Sequence, residues 1–271
     1  MRPLPCSACG LAALLFLLPA TTLAAAPTLL PQISGTSSAQ AGAQADRGPR
    51  VRRDTAYLVA SGGVGDFTTL TEAVASVPAG ALLVVLPGSY EGPTISAKGL
   101  RIKSRIPGAA RITSTMTVEA IGARQEVYLG GLLFEEGFTV DGCAGEVNLT
   151  GCRAIDDDEW AIWPPGLNFY NFPDCGVGTS RHKIVNSDAV TLVECTLEGR
   201  DGYQGSCDGY PGEHGLVVEN SRVAVYGGSL LGGRGGDGFW CHGTYAGSGG
   251  DGLSATGAGT RVYTSGVLRM G

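Results

Sequence analysis

The sequence predicts an all-β fold, a right-handed parallel β-helix solenoid with a short N-terminal capping α-helix, on three observations. Gly and Pro supply 44 and 14 of the 271 residues, well above the roughly 12% usual for the pair, and this much Gly is costly in helices. A strand–bend–strand template of apolar residues recurs through the second half of the chain. One short amphipathic segment with a capping signature precedes it. The net charge of −6 with only 16% charged residues excludes a general nucleic-acid binder, whose surface must be basic to displace counterions. A hydrophobic content of 43% excludes a disordered chain.

Residues 1–26 read as a signal peptide. Arg2 precedes the apolar run 11–18, and small residues follow up to Ala26, the layout of a secretory leader with an A-x-A cleavage site. After cleavage no other apolar stretch is long enough for a membrane span. The expectation is therefore an extracytoplasmic protein, secreted or at the cell surface or periplasm. Residues 27–54 are rich in Pro, Ser, Ala, Gly and Gln and bury too little to order themselves, so they read as a disordered linker. The β-helix domain is assigned to 55–271.

The domain opens with a short strand over 57–60 and a turn over 61–67. Thr69 and Glu72 have capping-box spacing, and Leu70, Ala73, Val74 and Val77 then fall on one helical face. Pro78 and Gly80 end that helix. Residues 81–86 read as a buried strand, closed by Pro87 and Gly88. The segments Gly65-Asp66-Phe67-Thr68-Thr69-Leu70, Glu72-Ala73-Val74, Pro78 and Leu86-Pro87-Gly88-Ser89-Tyr90-Glu91 resemble the opening of pectin lyase-like β-helix proteins, and of pectin methylesterases in particular. The resemblance covers about residues 57–104. It implies that the helix covers the N-terminal end of the coil, where an open rung exposes apolar side chains and unpaired backbone.

The template reads apolar, x, apolar, two spacers, small or apolar, and its copies begin at Val127, Val147, Val190, Val223 and, more weakly, Val262. Its first two apolar positions lie two apart, as on one face of a strand. The next gap is three, so inward parity shifts, and a bend between faces accounts for the shift. The short step from Val127 to Val147 suits a bare rung. The longer steps suit rungs carrying loops, or a further degenerate rung. No rung can bury its own inner face, so stacking must do it. A sandwich would favour tight antiparallel hairpins instead. The chain ends within the last copy, which leads to the expectation of a longer coil or a covered end, with self-association through the C-terminal rung.

Six cysteines follow the leader. Cys152 and Cys195 occupy the same template slot and are expected inside the coil. Cys207 and Cys241 lie in successive loops on one side and are the expected disulfide in an oxidising compartment; Cys143 and Cys175 are a second candidate pair. Thiolate metal binding is not expected, because no C-x-x-C pair survives cleavage.

Three segments carry candidate chemistry. Asp156, Asp157, Asp158 and Glu159 place four carboxylates together, a hard-oxygen set suited to Ca²⁺ or a solvated acidic turn. Trp160, Trp163, Phe169 and Tyr170 follow at once, as rings that either stack on sugars or form the loop's own core. The segment 232–240 with Asp237 fits the G-G-x-G-x-D nonapeptide of Ca²⁺-binding β-rolls, and 246–254 with Asp251 is a near match. The resemblance to pectate lyases of this fold adds a base role for Arg153, Arg181 or Lys183 beside bound Ca²⁺. The catalytic motifs of pectin methylesterases and polygalacturonases are absent or out of order, so the resemblance transfers fold rather than activity. Asn148-Leu149-Thr150 is a glycosylation sequon. The expected function is a non-enzymatic, carbohydrate-binding or adhesin-like β-helix recognising a polysaccharide or cell-surface glycan. The alternative is a Ca²⁺-dependent polysaccharide lyase or related carbohydrate-active enzyme.

Overall fold

The computed structural model describes residues 55–154, 180–202, 209–237, 246–267 and 269–270. The expected leader and linker, the acidic run Asp156–Glu159, the aromatic cluster Trp160–Tyr170, and Cys175, Cys207 and Cys241 lie outside the described residues.

Each turn of the chain lays one strand into each of three sheets, and every pairing is parallel. The first sheet runs through Ala56–Val59, Leu82–Val85, Leu100–Ser104, Glu126–Gly130, Glu146–Thr150, Ala189–Val193, Arg222–Tyr226 and Arg261–Ser265. The second runs through Gly88–Tyr90, Ala110–Ile112, Leu132–Phe134, Arg153–Ala154, Thr196–Glu198, Ser229–Leu231 and Arg269–Met270. The third comprises Thr94–Ser96, Met116–Glu119, Phe138–Asp141, His182–Val185, Val217–Glu219 and Ser254–Thr256. This is a parallel β-helix.

The template copies are its rungs. Leu100, Val127, Val147, Val190, Val223 and Val262 stand in register as one inward column. Ile102, Leu129, Leu149, Leu192, Val225 and Thr264 form the column beside it. Val147 pairs directly with Val190, so the long step between them is one rung with an insertion and no degenerate rung intervenes. A one-residue slip would turn every inward side chain outward, and the buried columns forbid it.

At two corners of the coil the turn begins with a residue in the left-handed region. Between the third and first sheets the column is Ala97, Ala120, Gly142, Asn186, Asn220 and Gly257, with φ from 46° to 91°. Between the first and second sheets it is Gly131, Gly151, Glu194, Gly227 and Gly266, with φ from 51° to 68°. One such residue interrupts the in–out alternation, which is the gap of three in the template. The bends also pair: Gly131, Gly151, Glu194 and Gly227 each donate their N–H to the carbonyl of Thr150, Val193, Tyr226 and Ser265 on the following rung, at 2.8–2.9 Å. Next to these bends, Cys152 and Cys195 sit one rung apart and fully inside, as the template slot requires.

At the N-terminal end the helix Leu70–Ser76 starts as the capping signature requires, with the Glu72 N–H donating to Thr69 Oγ1 at 3.2 Å. The return bond from the Glu72 carboxylate does not form among the described residues. Leu70, Ala73, Val74 and Val77 join the same core as the coil, and Lys98 Nζ donates to the Val74 carbonyl at the helix end at 2.7 Å. The strand expected over 81–86 is shorter, Leu82–Val85, and alternates, with Leu83 and Val85 buried and Leu82 and Val84 half-buried. Two residues of the opening motif have local reasons. A Cβ on Gly65 would lie 2.6 Å from the Leu58 carbonyl oxygen, and Asp66 Oδ2 accepts the Leu58 N–H at 2.7 Å.

The third corner, between the second and third sheets, is different. On the first three rungs it is crossed by 91–93, 113–115 and 135–137; on the next three it carries 155–181, 199–216 and 232–253.

Glu194 is the one non-glycine in its column. Left-handed backbone costs an L-residue roughly 1–2 kcal/mol, against roughly 0.5–1 kcal/mol of extra chain entropy for Gly. Glu194→Gly should therefore stabilise the coil by about 0.5 kcal/mol, and Gly227→Val should destabilise it by about 1–2 kcal/mol; urea-unfolding midpoints check both.

Candidate functional site

The three insertions leave the coil at one corner of successive rungs, and the described parts of the second and third are built on glycine. Gly199 and Gly202, Gly209, Gly212 and Gly215, Gly232 and Gly235, and Gly247 and Gly250 recur at every third residue, the period of a threefold extended helix. These threads bond to one another through backbone. Gly202 N–H donates to Arg234 O, Gly212 to Ser248 O, Gly215 to Asp251 O, Gly233 to Glu213 O, Gly236 to Tyr210 O and Gly250 to Gly233 O, at 2.6–2.9 Å. A side chain has no room between them: a Cβ on Gly209 would strike Gly236 O, on Gly233 the Arg200 carbonyl, and on Gly250 the Glu213 carbonyl. The glycines of 232–236 and 246–250 thus pack threads against each other. The signal for this in the sequence is the three-residue Gly spacing.

Charged side chains line the base of the same corner. Arg181 donates to the carbonyls of Glu135 at 2.6 Å and Glu198 at 3.3 Å, tying the rungs on either side of the 155–181 insertion. Arg111 pairs with Glu135 at 2.6 Å and Arg200 with Glu136 at 2.7 Å. Asp201 Oδ1 accepts the Arg234 N–H at 2.6 Å. His214 Nδ1 accepts the Asp251 N–H at 2.9 Å and lies 3.6 Å from its carboxylate.

The proposed bases are separated by these constraints. Arg153 is exposed on the outer face of the second sheet, Lys183 is half-buried on the outer face of the third, and Arg181 lies between them at the corner with its guanidinium on two carbonyls. Asp251 lies beside His214, and Asp237 is exposed where the described part of its thread ends. Among the described residues no group of three or more His, Cys, Asp or Glu side chains is placed to hold a metal ion.

The titratable groups inside the coil have structural surroundings. His182 stands in the inward column of the third sheet in register with Phe138, rings 5.4 Å apart, and is fully buried. Its Nε2 faces the Glu198 carbonyl at 3.3 Å, and Nδ1 has no hydrogen-bond partner among the described residues. Burial, reinforced by the Arg181 and Arg200 charges, lowers its pKa to about 3, so it is neutral at ordinary pH. Cys143, Cys152 and Cys195 are buried free thiols; Cys175, the candidate partner of Cys143, lies outside the described residues. Burial raises the Cys143 pKa. The neighbouring Cys195 thiol and burial hold Cys152 well above the ordinary range. Their sulfurs face backbone carbonyls of Val118, Leu129 and Leu149.

Comparison with protein-family models, with curated proteins and with solved structures returns no match for this chain.

Two measurements test this description. Gly233→Ala should abolish hydrogen-exchange protection at Gly236 and Gly250 while Leu149 and Leu192 stay protected; unchanged thread amides would contradict the packing. For His182, the unfolded chain binds a proton below pH 6.5 that the folded chain refuses until about pH 3. Stability is therefore full above pH 6.5 and falls as pH drops through that window, by about 2 kcal/mol at pH 5. His182→Leu should shrink the stability difference between pH 7 and pH 5 by that amount in denaturant titrations.

Proposed function

We propose that this chain is an exported, non-enzymatic β-helix scaffold that binds a polysaccharide or cell-surface glycan, in the manner of an adhesin or matrix protein. The observation that supports this is the gathering of three successive insertions at one corner of the coil, while the connections at the other two corners stay within six residues among the described rungs. Loops raised on a rigid scaffold are a common way to present recognition residues. The acidic run Asp156–Glu159 and the rings Trp160, Trp163, Phe169 and Tyr170 belong to the first of these insertions. Relationship to pectin lyase-like proteins is part of the proposal and rests on the opening segment 65–91 together with the parallel β-helix. The charged groups at the base of the corner are engaged with one another and with backbone, and His182 is enclosed and neutral, which favours binding over turnover. Export, with Cys207–Cys241 as a loop disulfide, rests on the leader-like residues 1–26 and on the spacing of the two cysteines.

The alternative, a Ca²⁺-dependent lyase using Arg153, Arg181 or Lys183 with Ca²⁺ on Asp156–Glu159, keeps one specific support: the acidic run lies between Arg153 and Arg181 in sequence. The full chain should bind polygalacturonate or alginate saturably, with no chelator-sensitive rise in unsaturated-uronate absorbance. Such a rise would transfer the assignment to the lyase. Absence of binding to any glycan on an array would remove the reading.

A further inference from the structure

The outer face of the first sheet carries a second feature, away from the loop corner. On its last three strands a shallow cavity of about 310 Å³ is lined by Asp188, Ala189, Thr191, Arg222, Ala224, Arg261 and Tyr263 among others. Strand register explains its shape. Thr191, Ala224 and Tyr263 form one outward row, and Val193, Tyr226 and Ser265 the next. Two small residues therefore make a floor two strands wide, about 5 Å from strand to strand, and Tyr263 stands at its end on the third strand. Tyr263 is 61% exposed and Tyr226 43%, and their rings lie 5.9 Å apart with a 57° tilt. Large rings left this open are uncommon among the described residues, whose other exposed large hydrophobics are Val64, Ile106 and Tyr210.

The wall beside that floor is cationic in a chain that is acidic overall. Arg222 and Arg261 are register partners on adjacent strands. Arg222 shares its charge with Asp188 at 2.9 Å, both side chains more than half exposed. Arg261 has no ion-pair partner among the described residues. One guanidinium is thus held by a carboxylate, and the next is available to an incoming anion.

We propose that this face binds an acidic oligosaccharide, with a sugar ring lying on the small floor against Tyr263 and its carboxylate on Arg261. The inference rests on the glycan-binding reading above and adds the face, the charge class and the residues. Flat apolar sugar faces suit exposed tyrosine rings. A guanidinium fork matches a carboxylate in bidentate geometry where an ammonium does not. A neutral glycan would leave Arg261 unused, and a nucleic acid would meet the opposing net charge of the chain.

The test is titration of the full chain with tetragalacturonate and with its fully methyl-esterified form, following the backbone amides of Thr191, Ala224 and Tyr263 by NMR. The acid should shift these amides and the ester should bind at least tenfold more weakly. Arg261→Gln should weaken the acid at least tenfold and leave the ester unchanged. Tyr263→Ala should weaken both, and Tyr263→Phe neither. Asp188→Asn releases Arg222 and should tighten the acid severalfold, a gain that misfolding cannot imitate. If the chain binds tetragalacturonate while these amides stay silent, the sheet-face site is wrong and the glycan-binding reading stands. If no oligosaccharide binds at all, both fall.

Discussion

Everything else in the molecule depends on keeping backbone pairing continuous while the chain turns corners. A strand that simply bent would lose its ladder and its inward parity together. The single left-handed residue at each of two corners solves both problems: it turns the chain, resets which side chains face inward, and still presents its N–H to the next rung. Because that solution needs an unusual backbone, it selects Gly and Asn where it is used, and the connections at these two corners stay within six residues among the described rungs. Ala97, Ala120 and Glu194 show that the geometry is imposed by the stack even where the side chain disfavours it.

That constraint decides where variation is allowed. The third corner has no left-handed column, so its connections grow from three residues to the long segments 155–181, 199–216 and 232–253. The described parts of 199–216 and 232–253 do not continue the sheets. Their glycine threads exchange backbone hydrogen bonds at distances that exclude a Cβ, so they satisfy their polar groups without ladders. The result is a second kind of order built beside the first.

The interior stays uniform because its polar members are neutral and locally satisfied. Ser187 and Ser221 donate to carbonyls two residues back and accept the N–H of the preceding rung. The cysteines fill slots that a bend makes narrow. His182 is the exception, held without charge between cations, and its cost appears only when the solvent becomes acidic.

The rung template was legible in the sequence because strand periodicity is local: alternate residues face one way whatever lies around them. The helix cap was legible for the same reason, down to Thr69 as the capping residue. The chain by itself thus determined the class of fold and the inward positions of each rung; whether Val147 pairs directly with Val190, and from which corner the loops leave, it left open. Only the tertiary structure decided what the loops and outer faces bring together. The glycine threads pair residues far apart in sequence, and nothing local says that Gly233 must lie against Arg200. The row of Thr191, Ala224 and Tyr263 exists only once three rungs are stacked, because lateral neighbours in a solenoid are set by the lengths of intervening insertions.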